Sequence, residues 1–188
     1  MVSARWLNMR DGDWEMKMGA VTLAEINNGD AAKFVEVLGD VFENSPWLVE
    51  RAAAARPFPS CEILVAKLID VLNTAGHDEK MALISAHPDL AGKAARAGAL
   101  TDSSTREQAS VGLDQLTDEE FELFKRLNDD YRARFGIPFI IAVRDHNKAS
   151  ILAAFETRLK NETTIEIAEA MRNIARIVSL RIVDTVLE

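Results

Sequence analysis

A histidine set directly before a proline, His87-Pro88, stands near the start of a stretch running from Leu83 to Leu113, LISAHPDLAGKAARAGALTDSSTREQASVGL. Pro88 ends whatever helix precedes it and begins a fresh turn, so the imidazole sits at a bend. Amide dipoles at a helix N-terminus disfavour a cation there, which leaves a neutral ring usable as a base. The plainer reading is a histidine that caps or fills the bend, and local sequence favours it. Seventeen residues on, Ser104-Thr105-Arg106-Glu107-Gln108 offers a hydroxyl, a carboxylate and an amide beside an expected helix start, a natural seat for an anionic or carbonyl-rich ligand. Ser104 and Glu107 also fit a Ser-x-x-Glu capping box, which would explain both residues without any ligand. Arg181 is more pointed. Ile167, Met171, Ile174, Val178 and Arg181 follow one another at steps of four, three, four and three residues, so the guanidinium lies in an apolar helical stripe. A buried guanidinium needs an anionic partner. An internal or inter-subunit carboxylate and a substrate carboxylate satisfy that need equally well.

Other chemistries find little support. His77 follows Gly76, and His146 lies in the turn Asp145-His146-Asn147; both read as solvated surface. No histidine pair has metal-ligand spacing, so no metal site is expected. The one cysteine, Cys61, excludes an internal disulfide and reads as a small buried hydrophobe rather than a nucleophile. There is no glycine-rich phosphate loop and no nucleophile elbow. A net charge of −8 supplies no basic face for nucleic acid. No apolar run approaches the ~20 residues of a membrane span. The first twenty residues lack the apolar core of a signal peptide, and Asp11, Asp13 and Glu15 do not suit a transit peptide. The C-terminal Thr185-Val186-Leu187-Glu188 is no peroxisomal address, and cytoplasm is expected.

The elements that would position these residues are helices. Nine Gly and five Pro are few for this length, and the reading is one all-α, compact multi-helix domain over residues 21–188. Residues 1–20 form an irregular extension of unassigned role. Helices are expected from Leu23, after Asp30, after Ser45-Pro46 as far as Arg56, from Cys61 behind a Ser60 cap, and from Asp78 to about Ala86. Further ones follow the Ser104 box, the Thr117/Glu120 box and Asn147, and the last runs from Thr163 or Thr164 to about Val186. Between Gly136 and Arg144, Ile137 to Val143 is the one strand-like run. With no second such run to pair with, its backbone groups need other partners, and a polar ligand is one candidate.

Several stretches in one order carry a family resemblance: Phe42-Glu43-Asn44-Ser45-Pro46-Trp47, Ala54-Ala55-Arg56-Pro57-Phe58, Ala86-His87-Pro88-Asp89-Leu90-Ala91-Gly92-Lys93, Ser104 to Gln108, Phe135-Gly136-Ile137-Pro138-Phe139-Ile140, and Ile177-Val178-Ser179-Leu180-Arg181. From about residue 22 to the end, the chain resembles the decarboxylases of 2-oxo-4-hydroxy-4-carboxy-5-ureidoimidazoline (OHCU), which act in purine catabolism after urate oxidation and yield (S)-allantoin. The resemblance implies an all-α homodimer without cofactor or metal. It implies His87 as the catalytic histidine, with Glu107 as its partner and Arg181 as a third catalytic residue. The substrate-binding positions it implies are Pro88, Ser104, Thr105, Arg106, Gln108 and the backbone of Phe139, Ile140, Ile141, Ala142 and Val143.

Loss of CO₂ from such a substrate needs an ion to orient the carboxylate, donors for the developing oxyanion and an acid on one face. Arg181 would orient or stabilise, His87 would exchange a proton with the hydroxyl or the nascent carbanion, and Glu107 would orient His87 or the ureido group. Two rivals stand beside this reading. One is an inactive helical interaction or dimerisation module. The other is a ureide hydrolase, which lacks here a metal-ligand set or a credible nucleophile.

Overall fold

Helix-starting side chains punctuate the chain, and the computed structural model, which describes residues 20–188, turns most of them into helix ends. Asp30 accepts from the Lys33 N–H at 2.7 Å and opens α2 (Ala31–Leu38), after a short α1 (Leu23–Asn28). Ser60 caps α4 (Cys61–Thr74), with α3 (Trp47–Ala53) before it and α5 (His77–Ala86) after it. A one-turn α6 (Lys93–Arg96) and α7 (Asp102–Ala109) lead to α8 (Asp118–Phe135), where Thr117 and Glu120 form the expected capping box. Gly136 ends α8 with φ 71°, a left-handed value that favours glycine. Asn147 caps α9 (Lys148–Arg158), and α10 (Thr163–Thr185) closes the domain. The one sheet among the described residues is a parallel pair, β1 (Val21–Thr22) with β2 (Val186–Leu187). The extension expected over residues 1–20 lies, but for Ala20, outside the described residues.

α10 packs against α2, α4, α5 and the 3₁₀ turn Gly39–Val41, so its apolar stripe crosses the middle of the core. A second part of the core is aromatic. Phe139 stacks on Phe155 with ring centroids 3.6 Å apart, and Tyr131 meets the Phe139 ring edge-on at 5.2 Å. These contacts bury the run after Gly136, so Phe139 to Ala142 passes through the interior without joining a strand. Val143 opens a 3₁₀ turn to Asp145.

Some helix starts differ from expectation. Ser45 is buried and makes no side-chain cap, and α3 begins at Trp47 and stops at Ala53, short of Arg56. Arg56 instead turns back to the Gly29 and Asp30 carbonyls. Gly76, not Asp78, precedes α5, its N–H donating to the Glu79 carboxylate. Glu162 precedes α10 without a side-chain cap. The most consequential difference is at α7. Thr101 caps that helix, accepting from the Ser104 N–H at 3.3 Å, so Ser104 and Glu107 are not a capping box. Both side chains are released for other partners.

Candidate active site

α5 ends at His87 because Pro88 follows, and the histidine becomes its C-terminal cap with φ −76° and ψ 135°. The Nδ1 atom lies 2.8 Å from the Leu83 carbonyl. A carbonyl oxygen only accepts, so Nδ1 carries the proton and, in the neutral ring, Nε2 holds the lone pair. Nε2 has no protein hydrogen-bond partner among the described residues. Burial pushes the imidazole below its ordinary value of 6.5, outweighing the Leu83 carbonyl and the nearby Glu43 carboxylate, which favour the cation. The neutral ring expected from the sequence is therefore present for a different reason: desolvation at a helix C-terminus, not repulsion at an N-terminus.

The turn after His87 is pinned from two helices. Asn128, in the apolar stripe of α8, donates to the Leu90 carbonyl at 2.8 Å. Gln108 accepts from the Ala91 N–H at 2.9 Å, where Ala91 has φ 52°. Gly92 is required by space, since a Cβ there would come within 2.9 Å of Asp89 Cβ.

On α7, positions 104, 107 and 108 share one face, three and four residues apart. Arg181 reaches that face from α10. Its Nε and Nη2 donate to the two Glu107 carboxylate oxygens at 2.7 and 2.8 Å, a bidentate pair. Nη1 and Nη2 each lie 3.3 Å from Glu43 Oε2, Nη1 donates to the Asp40 carbonyl, and Nη2 donates to Ser104 Oγ. The Ser104 hydroxyl in turn donates to Glu43 at 2.9 Å. All five guanidinium N–H groups are thus engaged. Burial opposes the Arg181 charge, but Glu107 and Glu43 outweigh it and hold the group above its ordinary range.

These groups border a cleft of about 410 Å³, its open mouth included. His87, Pro88, Ser104, Glu107, Gln108 and Arg181 line it together with Phe139, Ile140, Ile141 and Val143. Three expected substrate-binding residues lie elsewhere. Thr105 projects from another face of α7 into a separate hollow beside Ala91, Ala95 and Leu100. Arg106 is exposed and donates to Ser103 Oγ. Ala142 is buried off the cleft, its N–H donating to Asn173 Oδ1 at 3.0 Å. A helix cannot present five consecutive residues to one cavity, which is why the Ser104 to Gln108 run divides.

Sequence reasoning assigned no role to Glu43, 2 % exposed and bonded to Thr101, Ser104 and Arg181. Its signal was a carboxylate between Val41-Phe42 and a Pro-Trp turn with no local cation to pair with. Among the rest, His77 is exposed and His146 half-buried against Ser150. Cys61 is half-buried, and burial pushes its thiol up to about 11, far from a neutral-pH nucleophile. Among the described residues no three His, Cys, Asp or Glu side chains gather to hold a metal ion, and no helix is long and apolar enough to cross a membrane.

A neutral imidazole with a free Nε2, beside an arginine-bound carboxylate in a helical domain, defines a site suited to proton transfer on a polar ligand. A family model described as OHCU decarboxylase matches residues 27–183, and the chain belongs to that family. It is 38% identical over 167 residues to 2-oxo-4-hydroxy-4-carboxy-5-ureidoimidazoline decarboxylase of Haloferax volcanii, covering 89% of this chain and 97% of that protein. It is 37% identical over 167 residues to the uric acid degradation bifunctional protein PucL of Bacillus subtilis, covering 89% of this chain but 33% of that longer one. Among solved structures it is similar to (S)-allantoin synthase, with TM-score 0.68 and 27% identity over 88% of this chain and 54% of that one. An OHCU decarboxylase crystallised in the presence of (S)-allantoin shares the fold, with TM-score 0.61 and 18% identity over 82% and 96% of the two chains.

Proposed function

We propose that the protein decarboxylates OHCU to (S)-allantoin in urate degradation. The observation that carries this reading is the convergence of His87, Glu107 and Arg181 on one cleft in a chain of the OHCU decarboxylase family. In the reaction, the bond from the ring carbon to its carboxylate breaks and CO₂ leaves. The bonding pair moves into the neighbouring C=N system. The hydroxyl on the same ring carbon loses its proton and becomes the product carbonyl, while the former imine nitrogen and the ureido-bearing carbon each gain a proton. Starting from the carboxylate anion, the whole consumes one proton.

His87 Nε2 takes the hydroxyl proton and returns one to carbon from a single side, a role its free lone pair supports. Arg181 acts through its field and by holding Glu107 and Ser104 in place. Its five donors are already engaged, so a direct grip on the substrate carboxylate would first displace Glu107. Gln108 spends its oxygen on the Ala91 N–H, which leaves its NH₂ group as a donor for a ring carbonyl. Pro88, Phe139, Ile140, Ile141 and Val143 add further wall to the cleft. The family resemblance supports a homodimer that works without cofactor.

The test uses OHCU generated freshly from urate by the preceding enzymes and followed by circular dichroism. Rapid formation of one allantoin enantiomer, lost in His87→Ala with the helical spectrum intact, is the expected result. Only the slow racemic background with the unmodified protein would replace this reading with the inactive helical module.

A further inference from the structure

The Phe139–Val143 run has no sheet to hold it, yet two side chains outside the cleft seize its backbone. Arg158, at the end of α9, donates from Nη1 to the Ile140 carbonyl at 2.7 Å. Asn173, on α10, accepts the Ala142 N–H at 3.0 Å.

Each of these side chains is itself held. Arg158 Nε donates to Glu166 at 2.8 Å, its Nη2 donates to the Tyr131 hydroxyl at 3.1 Å, and its guanidinium lies 4.5 Å over the Phe139 ring. Asn161 and the Tyr131 hydroxyl complete the Glu166 carboxylate. The Asn173 amide is oriented by its own donor bond to the Glu169 carbonyl at 2.9 Å, so its oxygen must face Ala142. Between the two held groups sits Ile141, which lines the cleft. Its N–H and C=O have no protein partner among the described residues. A buried backbone donor and acceptor left unpaired are costly, and a planar ring edge carrying N–H and C=O side by side would satisfy both.

We infer that Arg158 and Asn173 are positioning residues for the substrate, acting through the backbone on either side of Ile141. This rests on the decarboxylase reading above. Replacing a buried ion pair by apolar residues is often neutral or stabilising. Arg158 does something apolar packing does not: it fixes the carbonyl of a segment that has no strand partner. Asn173 fixes the N–H two residues on, and the groups between them are set for a ligand.

The variants are Asn173→Ala, Arg158→Lys and Arg158→Met, each compared with wild type for kcat and KM on fresh OHCU, alongside thermal melts. Loss of uniform substrate binding raises KM and leaves kcat standing, whereas mere loss of folded protein lowers apparent kcat at unchanged KM. The expected result is KM raised roughly tenfold in Asn173→Ala, and more in Arg158→Met, with kcat within about twofold. Asn173 belongs to no buried ion pair, so its variant decides the matter if the Arg158 variants do not fold. An active wild type whose Asn173→Ala variant keeps the wild-type KM overturns this inference alone. A wild type inactive on OHCU overturns the underlying reading and this inference with it.

Discussion

Two buried arginines, Arg158 and Arg181, solve the same electrostatic problem in opposite ways. Their side chains are 9 % and 6 % exposed. Arg158 meets one carboxylate, Glu166, eight residues away, and the pair is enclosed by Tyr131, Phe139 and Asn161. Charge balances, each Glu166 oxygen has a donor, and neither residue lines the cleft. Arg181 meets two carboxylates, Glu107 and Glu43, which lie 74 and 138 residues away, and both it and Glu107 border the cleft. One guanidinium against two carboxyl groups, next to an imidazole that burial keeps neutral, is an arrangement poised to exchange charge with a ligand. The closed pair holds a shape; the open triad faces chemistry. Burial of an ion pair therefore says little about function until the surroundings of its second carboxylate are known.

Matched substitutions in the two arginine clusters are expected to have opposite effects. Glu107→Gln is expected to lower kcat/KM by about 10² to 10⁴-fold with a small change in melting temperature, because Arg181 keeps Glu43. Glu166→Gln is expected to do the reverse: a loss of about 3 kcal/mol or more in denaturant unfolding, with kcat per folded molecule retained. If the two variants behave alike, the distinction between the clusters fails.

The next effect is in pH. His87 binds its proton less readily in the folded chain than at the ordinary 6.5 of the unfolded chain. Below that value the unfolded state holds more protons, so stability is full above about pH 6.5 and declines as pH falls through the window beneath it. His87→Gln should flatten that part of the stability curve, and the acid limb of kcat/KM should lie below 6.5 in the parent. The smallest effect belongs to an exposed pair beside the site. Arg132 and Asp89 are 2.6 Å apart, with side chains 41 % and 36 % exposed. Arg132→Ala should cost under about 1 kcal/mol and leave turnover within about twofold, measured by the same melts and rates.

Much of this was legible in the residues themselves. Asp30, Ser60, Thr117 and Asn147 announce helix starts because a cap involves groups only three residues apart. Arg181 announces a buried charge because a period of 3.6 depends on one helix alone. His87 announces a bend because Pro88 acts on its immediate neighbour. The Ser104/Glu107 pairing misled for the same local reason: the spacing fits a cap, but Thr101 lies three residues earlier and takes the role.

What lay beyond the sequence is which partner each buried group takes. Arg181 required an anion, and thirty acidic residues were available. Only the crossing of α10 over the Gly39–Val41 turn and α7 selects Glu43 and Glu107. The same holds for the Phe139–Val143 run, whose need for backbone partners was plain but whose holders, Arg158 and Asn173, arrive from helices 18 and 31 residues away. Local geometry is set by short-range sterics and hydrogen bonds, which a sequence carries residue by residue. Pairing of buried charges depends on which helices meet, and that is decided by packing of the whole core.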